Sequence, residues 1–85
     1  MERRRKQIKL SPIASKTIAN ASESLKSTLR DSILELSHNP LSGKPLKGRL
    51  RGLYRVRIGR YRIVYRFSED TLEIVNVGDR KEIYR

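Results

Sequence analysis

Between Lys44 and Arg66 the chain carries nine basic residues and no acidic one: Lys44, Lys47, Arg49, Arg51, Arg55, Arg57, Arg60, Arg62 and Arg66. Elsewhere eleven basic residues face nine acidic ones, so most of the formal charge of +11 comes from this one segment. A guanidinium group is a planar fork that meets two phosphate oxygens at once. A run of this kind predicts a phosphate-binding surface and a polyanionic partner, whether nucleic acid, an acidic protein or an anionic membrane.

Several other chemistries lack their residues. There is no cysteine, which removes disulfides and thiolate metal sites, and His38 is the single histidine. No carboxylate cluster accompanies the basic segment, so its pattern does not suit metal-assisted hydrolysis, and no metal or cofactor is expected. His38 falls at the end of a helical pattern, where a cationic imidazole suits the helix dipole. Gly43, Gly48, Gly52 and Gly59 match no nucleotide-binding spacing. Arginine and tyrosine remain. A phenol, with a reference pKa near 10, becomes a better base when guanidinium groups stabilise its phenolate. Tyr84 is the one tyrosine outside the core strands. On these residues alone, a nuclease and a phosphate-binding module without chemistry fit equally well.

The elements that position these side chains follow from periodicity. Eighty-five residues support a single domain; residues 1–7 read as a basic N-terminal tail and 8–85 as that domain. Gln7–Leu10 alternates and predicts a short strand. Ser11-Pro12 starts a helix running to about Asn20 that would bury Ile13, Thr17 and Ala21. Ser22 caps a longer helix with an apolar stripe of Leu25, Leu29, Ile33 and Leu36, ended by Asn39-Pro40. Leu41–Leu53 reads as an irregular connection. The period then becomes two: Tyr54–Ile58 and Tyr61–Arg66 form a hairpin about Gly59-Arg60, a type II′ signal. Thr71–Val77 gives a third strand, apolar on both faces and compatible with a sheet edge that accepts an added strand. No segment approaches the length of a membrane span and Met1–Lys6 lacks the apolar core of a signal peptide, so a cytoplasmic protein without a membrane partner is expected. The fold class is α+β, a helical hairpin packed on one face of a small twisted antiparallel sheet.

The two-residue turn sets the register. Ile58 faces Tyr61, Val56 faces Ile63 and Tyr54 faces Tyr65 on the side covered by helices. On the open side Arg57 lies opposite Arg62, with Arg55 and Arg66 close by. Like charges so paired cost roughly 0.2–1 kcal/mol. The tyrosines Tyr54, Tyr61 and Tyr65 point to the core and offer no stacking surface to RNA.

The run from Asn39-Pro40 through Gly43-Lys44-Pro45-Leu46-Lys47-Gly48 to Gly52-Leu53-Tyr54-Arg55-Val56-Arg57-Ile58-Gly59-Arg60-Tyr61-Arg62-Ile63-Val64-Tyr65 resembles the RelE/ParE superfamily of type II toxins. Val75–Arg80 and Glu82-Ile83-Tyr84 extend the resemblance over nearly the whole chain from Ile8. It implies two helices against a twisted antiparallel sheet, and a neutralising antitoxin as partner. The RelE-like branch cuts messenger RNA in the ribosomal A site, whereas ParE-like members block DNA gyrase and generally lack its basic and tyrosine set. In this chain the RelE positions are filled by Lys47, Arg55, Arg57, Arg62, Arg80 and Tyr84.

The resemblance thus implies a ribosome-dependent endoribonuclease in which a ribose 2′-hydroxyl attacks its own 3′-phosphate without a metal. Tyr84 would take the hydroxyl proton, Arg57 and Arg62 would hold the phosphorane, and Arg80 would stabilise or protonate the leaving 5′-oxygen. Arg55 would orient the substrate, with Lys44, Lys47, Arg49, Arg51 and Arg66 contacting RNA. Lysine is common in RelE toxins at the positions of Arg55 and Arg57. Arginine, always protonated, confines those positions to electrostatics. A ParE-like gyrase inhibitor and a non-catalytic basic nucleic-acid-binding module are the alternatives.

Overall fold

A computed structural model describes residues 5–79. Strand β1 (Gln7–Leu10) leads into helices α1 (Pro12–Ala19) and α2 (Glu23–His38). Two 3-10 turns flank the two-residue strand β2 (Lys44–Pro45), and β3 (Tyr54–Ile58), β4 (Tyr61–Phe67) and β5 (Thr71–Asp79) complete one sheet of order β1-β5-β4-β3-β2. Both helix starts use serine caps: Ser11 accepts from the Ala14 N–H and Ser22 from the Leu25 N–H. The α2 stripe buries Leu29, Ile33 and Leu36, with Leu25 packed at its margin, against Ile63, Tyr65, Leu72, Ile74 and Val77 of the sheet.

The hairpin has the expected register throughout, from Ile58 opposite Tyr61 to Tyr54 opposite Tyr65. Gly59 alone in its turn has positive φ, +61°, and Arg60 does not, as a type II′ turn requires.

The connection Leu41–Leu53, read from sequence as irregular, holds 3-10 turns and strand β2, which forms because Lys44 and Pro45 pair with Arg55 and Tyr54. Three further features differ from the sequence reading. The buried side of α1 is Ala14 with Ile18 at its margin, while Ile13 is 61% exposed. Ser11 explains the rotation. Its Oγ caps α1 and also donates to the Val75 carbonyl at 2.6 Å, docking the helix start on β5. Second, β5 is an interior strand, between β4 and a parallel β1, rather than an edge; the outer strands are β1 and β2. Third, β5 runs on through Gly78 and Asp79, because Arg62 and Tyr61 on β4 continue the ladder. A bulge in β5 opposite Val64/Tyr65 leaves Val75 as an extra residue. It changes the phase of alternation, so that Leu72, Ile74 and Val77 are all buried. That phase change is why the segment reads as apolar on both faces. At the chain start, Lys6 and Gln7 donate backbone bonds to the carbonyls of Ser37 and Asp70, tying them to the domain.

Candidate nucleic-acid interface

Helices cover one side of the β3–β4 hairpin, leaving Arg55, Arg57, Arg62 and Arg66 to share the other by alternation. Arg57 and Arg62 are direct cross-strand partners, with Cα atoms about 4.5–5.5 Å apart in such a pair. Val64 lies between Arg62 and Arg66 on the same face and is 5% exposed, an apolar floor beneath the long side chains. Arg57 is exposed, whereas Arg55 and Arg62 are half-buried and the Nε of Arg62 is withdrawn from solvent.

The connection after α2 builds the opposing wall. Lys44 pairs with Arg55 and Pro45 with Tyr54. Pro45 has no N–H to lose at this outer strand. The Leu46 N–H donates to the Leu53 carbonyl at 2.9 Å, closing the loop that carries Lys47. The result is an open groove of about 480 Å³ lined by Lys44, Pro45, Leu46, Lys47, Arg55, Arg57 and Arg62. Its lining has five cations and no carboxylate. A neighbouring hollow of about 360 Å³ shares Lys44, Arg55 and Arg57 and extends to Ser42 and Gly43. Lysine and arginine are donors only, so these residues are able to bind an anion and spread its charge but accept no proton. Among the described residues, no group of three or more His, Cys, Asp or Glu side chains gathers to hold a metal ion.

The remaining sequence candidates are distributed differently. Arg49 and Arg51 are exposed at the second 3-10 turn and do not line the groove. Arg66 shares the arginine face but its Nε is bonded to Glu73 Oε1 at 2.7 Å, and Arg60 likewise meets Asp79 at 3.2 Å. These two carboxylates on β5 bound the basic surface. Arg80 and Tyr84 lie outside the described residues. Since the Arg66–Glu73 pair is exposed, Arg66→Ala should change stability by less than about 1 kcal/mol. Urea denaturation of Arg66→Ala beside the native chain measures this directly.

Sequence reasoning missed the contribution of Tyr65. Its ring is fully buried and stacks on Tyr54 with centroids 5.6 Å apart. Its hydroxyl donates to the Pro40 carbonyl at 2.6 Å and accepts from the Gly43 N–H at 3.0 Å. Burial pushes the phenol above its ordinary value of 10.0; the Gly43 bond opposes this and Tyr54 adds to it. The folded state therefore favours the neutral phenol. Its contribution to stability is complete below about pH 10 and declines as pH rises toward the raised folded value. Urea titrations at successive alkaline pH values should show a steeper decline above that point for the native chain than for Tyr65→Phe.

Residues 8–84 match the family model described as the ParE toxin of the type II toxin–antitoxin system parDE. The chain belongs to this toxin family. Within the wider RelE/ParE superfamily, it is 43% identical over 54 residues to Toxin RelG of Mycobacterium tuberculosis, an alignment spanning 60% of this chain and 62% of that relative. The toxin–antitoxin complex RelBE2 from the same organism superposes with a TM-score of 0.82 at 25% identity, covering 95% of this chain and 98% of the other. The intact Escherichia coli RelBE complex gives a TM-score of 0.74 at 20% identity, covering 87% and 95%; that likeness is one of fold. The α+β architecture is thus the one the superfamily shares, and the chain is a member of this family of type II toxins. No helix among its described residues is long and apolar enough to cross a membrane.

Proposed function

We propose that this toxin is a ribosome-dependent endoribonuclease that cleaves messenger RNA in the A site, and that an antitoxin neutralises it. The observation that supports this most is the groove: five cations converge on one hollow whose lining has no acid. A single-stranded phosphodiester fits that chemistry, because its anionic charge grows at the phosphorane where Arg57 and Arg62 lie side by side. In the reaction, the 2′-oxygen forms a bond to the adjacent phosphorus and its proton passes to the Tyr84 phenolate. The bond to the 5′-oxygen breaks, its developing charge stabilised by Arg80 and its proton supplied by water. Arg55 and Lys47 hold the flanking backbone. The cytoplasm, where ribosomes translate, is the site of action. An acidic antitoxin covering the groove would quench five cations at once; the relatives crystallised as RelBE complexes favour such a partner.

The match to a model described as ParE supports a second reading, inhibition of DNA gyrase. One expression experiment separates the two. Mapping message ends after induction should give cuts at fixed codon positions within translated frames only. Gyrase-linked DNA breaks with intact messages would establish the second reading instead.

A further inference from the structure

The segment from Pro40 to Leu53 supplies Lys44 and Lys47 to the groove, yet none of its residues is buried. Segments with so little apolar burial open easily, so hydrogen bonds must hold this one in place. Two of those bonds converge on the Tyr65 hydroxyl, from both ends of the turn that precedes Lys44: the Pro40 carbonyl and the Gly43 N–H. Tyr65 belongs to an interior strand and is fully buried. The hydroxyl is therefore carried by a firmly packed part of the sheet. Gly43 fits closely against it. A Cβ there would overlap the Tyr65 hydroxyl and approach the Arg55 carbonyl to 2.8 Å. Its φ of −80° is open to any residue, so closeness and not conformation calls for glycine.

We propose that Tyr65 is a positioning residue for the groove: its hydroxyl latches the Pro40–Gly43 turn to β4 and so sets Lys44 and Lys47 against the arginines of β3 and β4. Tyr65 faces the helices, on the opposite side of the sheet from the groove, and acts only through the loop. The proposal rests on reading the groove as an RNA site.

Tyr65→Phe in the full chain removes one oxygen and keeps the ring. Exchange of the Gly43 amide should accelerate about tenfold relative to Val56 and Val64, since one protecting bond is lost. For a single-stranded RNA oligonucleotide, each phosphate contact contributes about 0.7 to the slope of log affinity against log salt, so losing two lysines should shrink it by about 1.4. The double variant Lys44→Ala/Lys47→Ala should show the same reduction, and adding Tyr65→Phe to it should change the slope no further. Gly43→Ala, which pushes the turn off from the other side, should reproduce the effect. General destabilisation lowers the active fraction at every salt concentration and leaves the slope alone. An unchanged slope in Tyr65→Phe, or full additivity with the lysine double variant, overturns the latch. Should the native chain bind no RNA, the reading of the groove fails, and Gly43 exchange alone decides: unchanged protection in Tyr65→Phe overturns the latch too.

Discussion

Arg62→Ala should lower the rate of message cleavage on programmed ribosomes by about 10²–10³-fold, the usual cost of removing a donor that meets transition-state charge. Arg62 is the groove arginine best placed for this task. It lies opposite Arg57, and its Nε is withdrawn from solvent, so part of its desolvation is already met before substrate arrives. A cation that is already partly desolvated interacts more strongly with the charge that builds on phosphorus. Arg62→Lys keeps the charge and loses the fork, and should recover only part of the rate. Growth arrest on expression should disappear with Arg62→Ala while the circular dichroism spectrum and melting temperature stay close to native. Arrest of undiminished strength from a folded Arg62→Ala chain would remove this residue from the chemistry.

Leu29→Ala should have the largest effect on stability. Leu29 is fully buried at the centre of the α2 stripe, where the helix meets the core face of the sheet. Deleting a leucine side chain from such a site costs about 3–5 kcal/mol through lost burial and the cavity left behind. A domain of this size has only about 5–10 kcal/mol in total. Thermal unfolding should therefore shift down by roughly 15–25 °C. The same change in Leu41, which is 72% exposed, should shift it by little. Equal shifts for the two leucines would contradict the assignment of the core.

The parts of this molecule that could be read from sequence are those whose determinants are local. Gly59-Arg60 leaves only one way to fold the hairpin, and with it the apposition of Arg57 and Arg62 follows. The α2 stripe and both serine caps are likewise short-range signals. What escaped depends on distant partners. Nothing in four residues of β1 announces a parallel pairing with β5, some sixty positions away. The rotation of α1 is set by Ser11 reaching the Val75 carbonyl, a contact absent from any helical periodicity. Glu73 on the third strand is visible in the sequence as an acid able to neutralise this arginine face, but only the bulge in β5 decides that it aligns with Arg66 and not with Arg62. Tyr65 looks like any other core aromatic, because only the fold brings Pro40 and Gly43 to its hydroxyl.

The chemistry proposed for the groove leaves a signature on the RNA itself. Attack by the neighbouring 2′-hydroxyl must leave a 2′,3′-cyclic phosphate on one fragment and a 5′-hydroxyl on the other. The most direct test is end analysis of a message cut on purified ribosomes by the full-length toxin, with Arg62→Ala as control. Cyclic phosphate and 5′-hydroxyl ends, nearly absent with Arg62→Ala, are the predicted result. Fragments bearing 3′-hydroxyl and 5′-phosphate ends, or an intact message at saturating toxin, would contradict it.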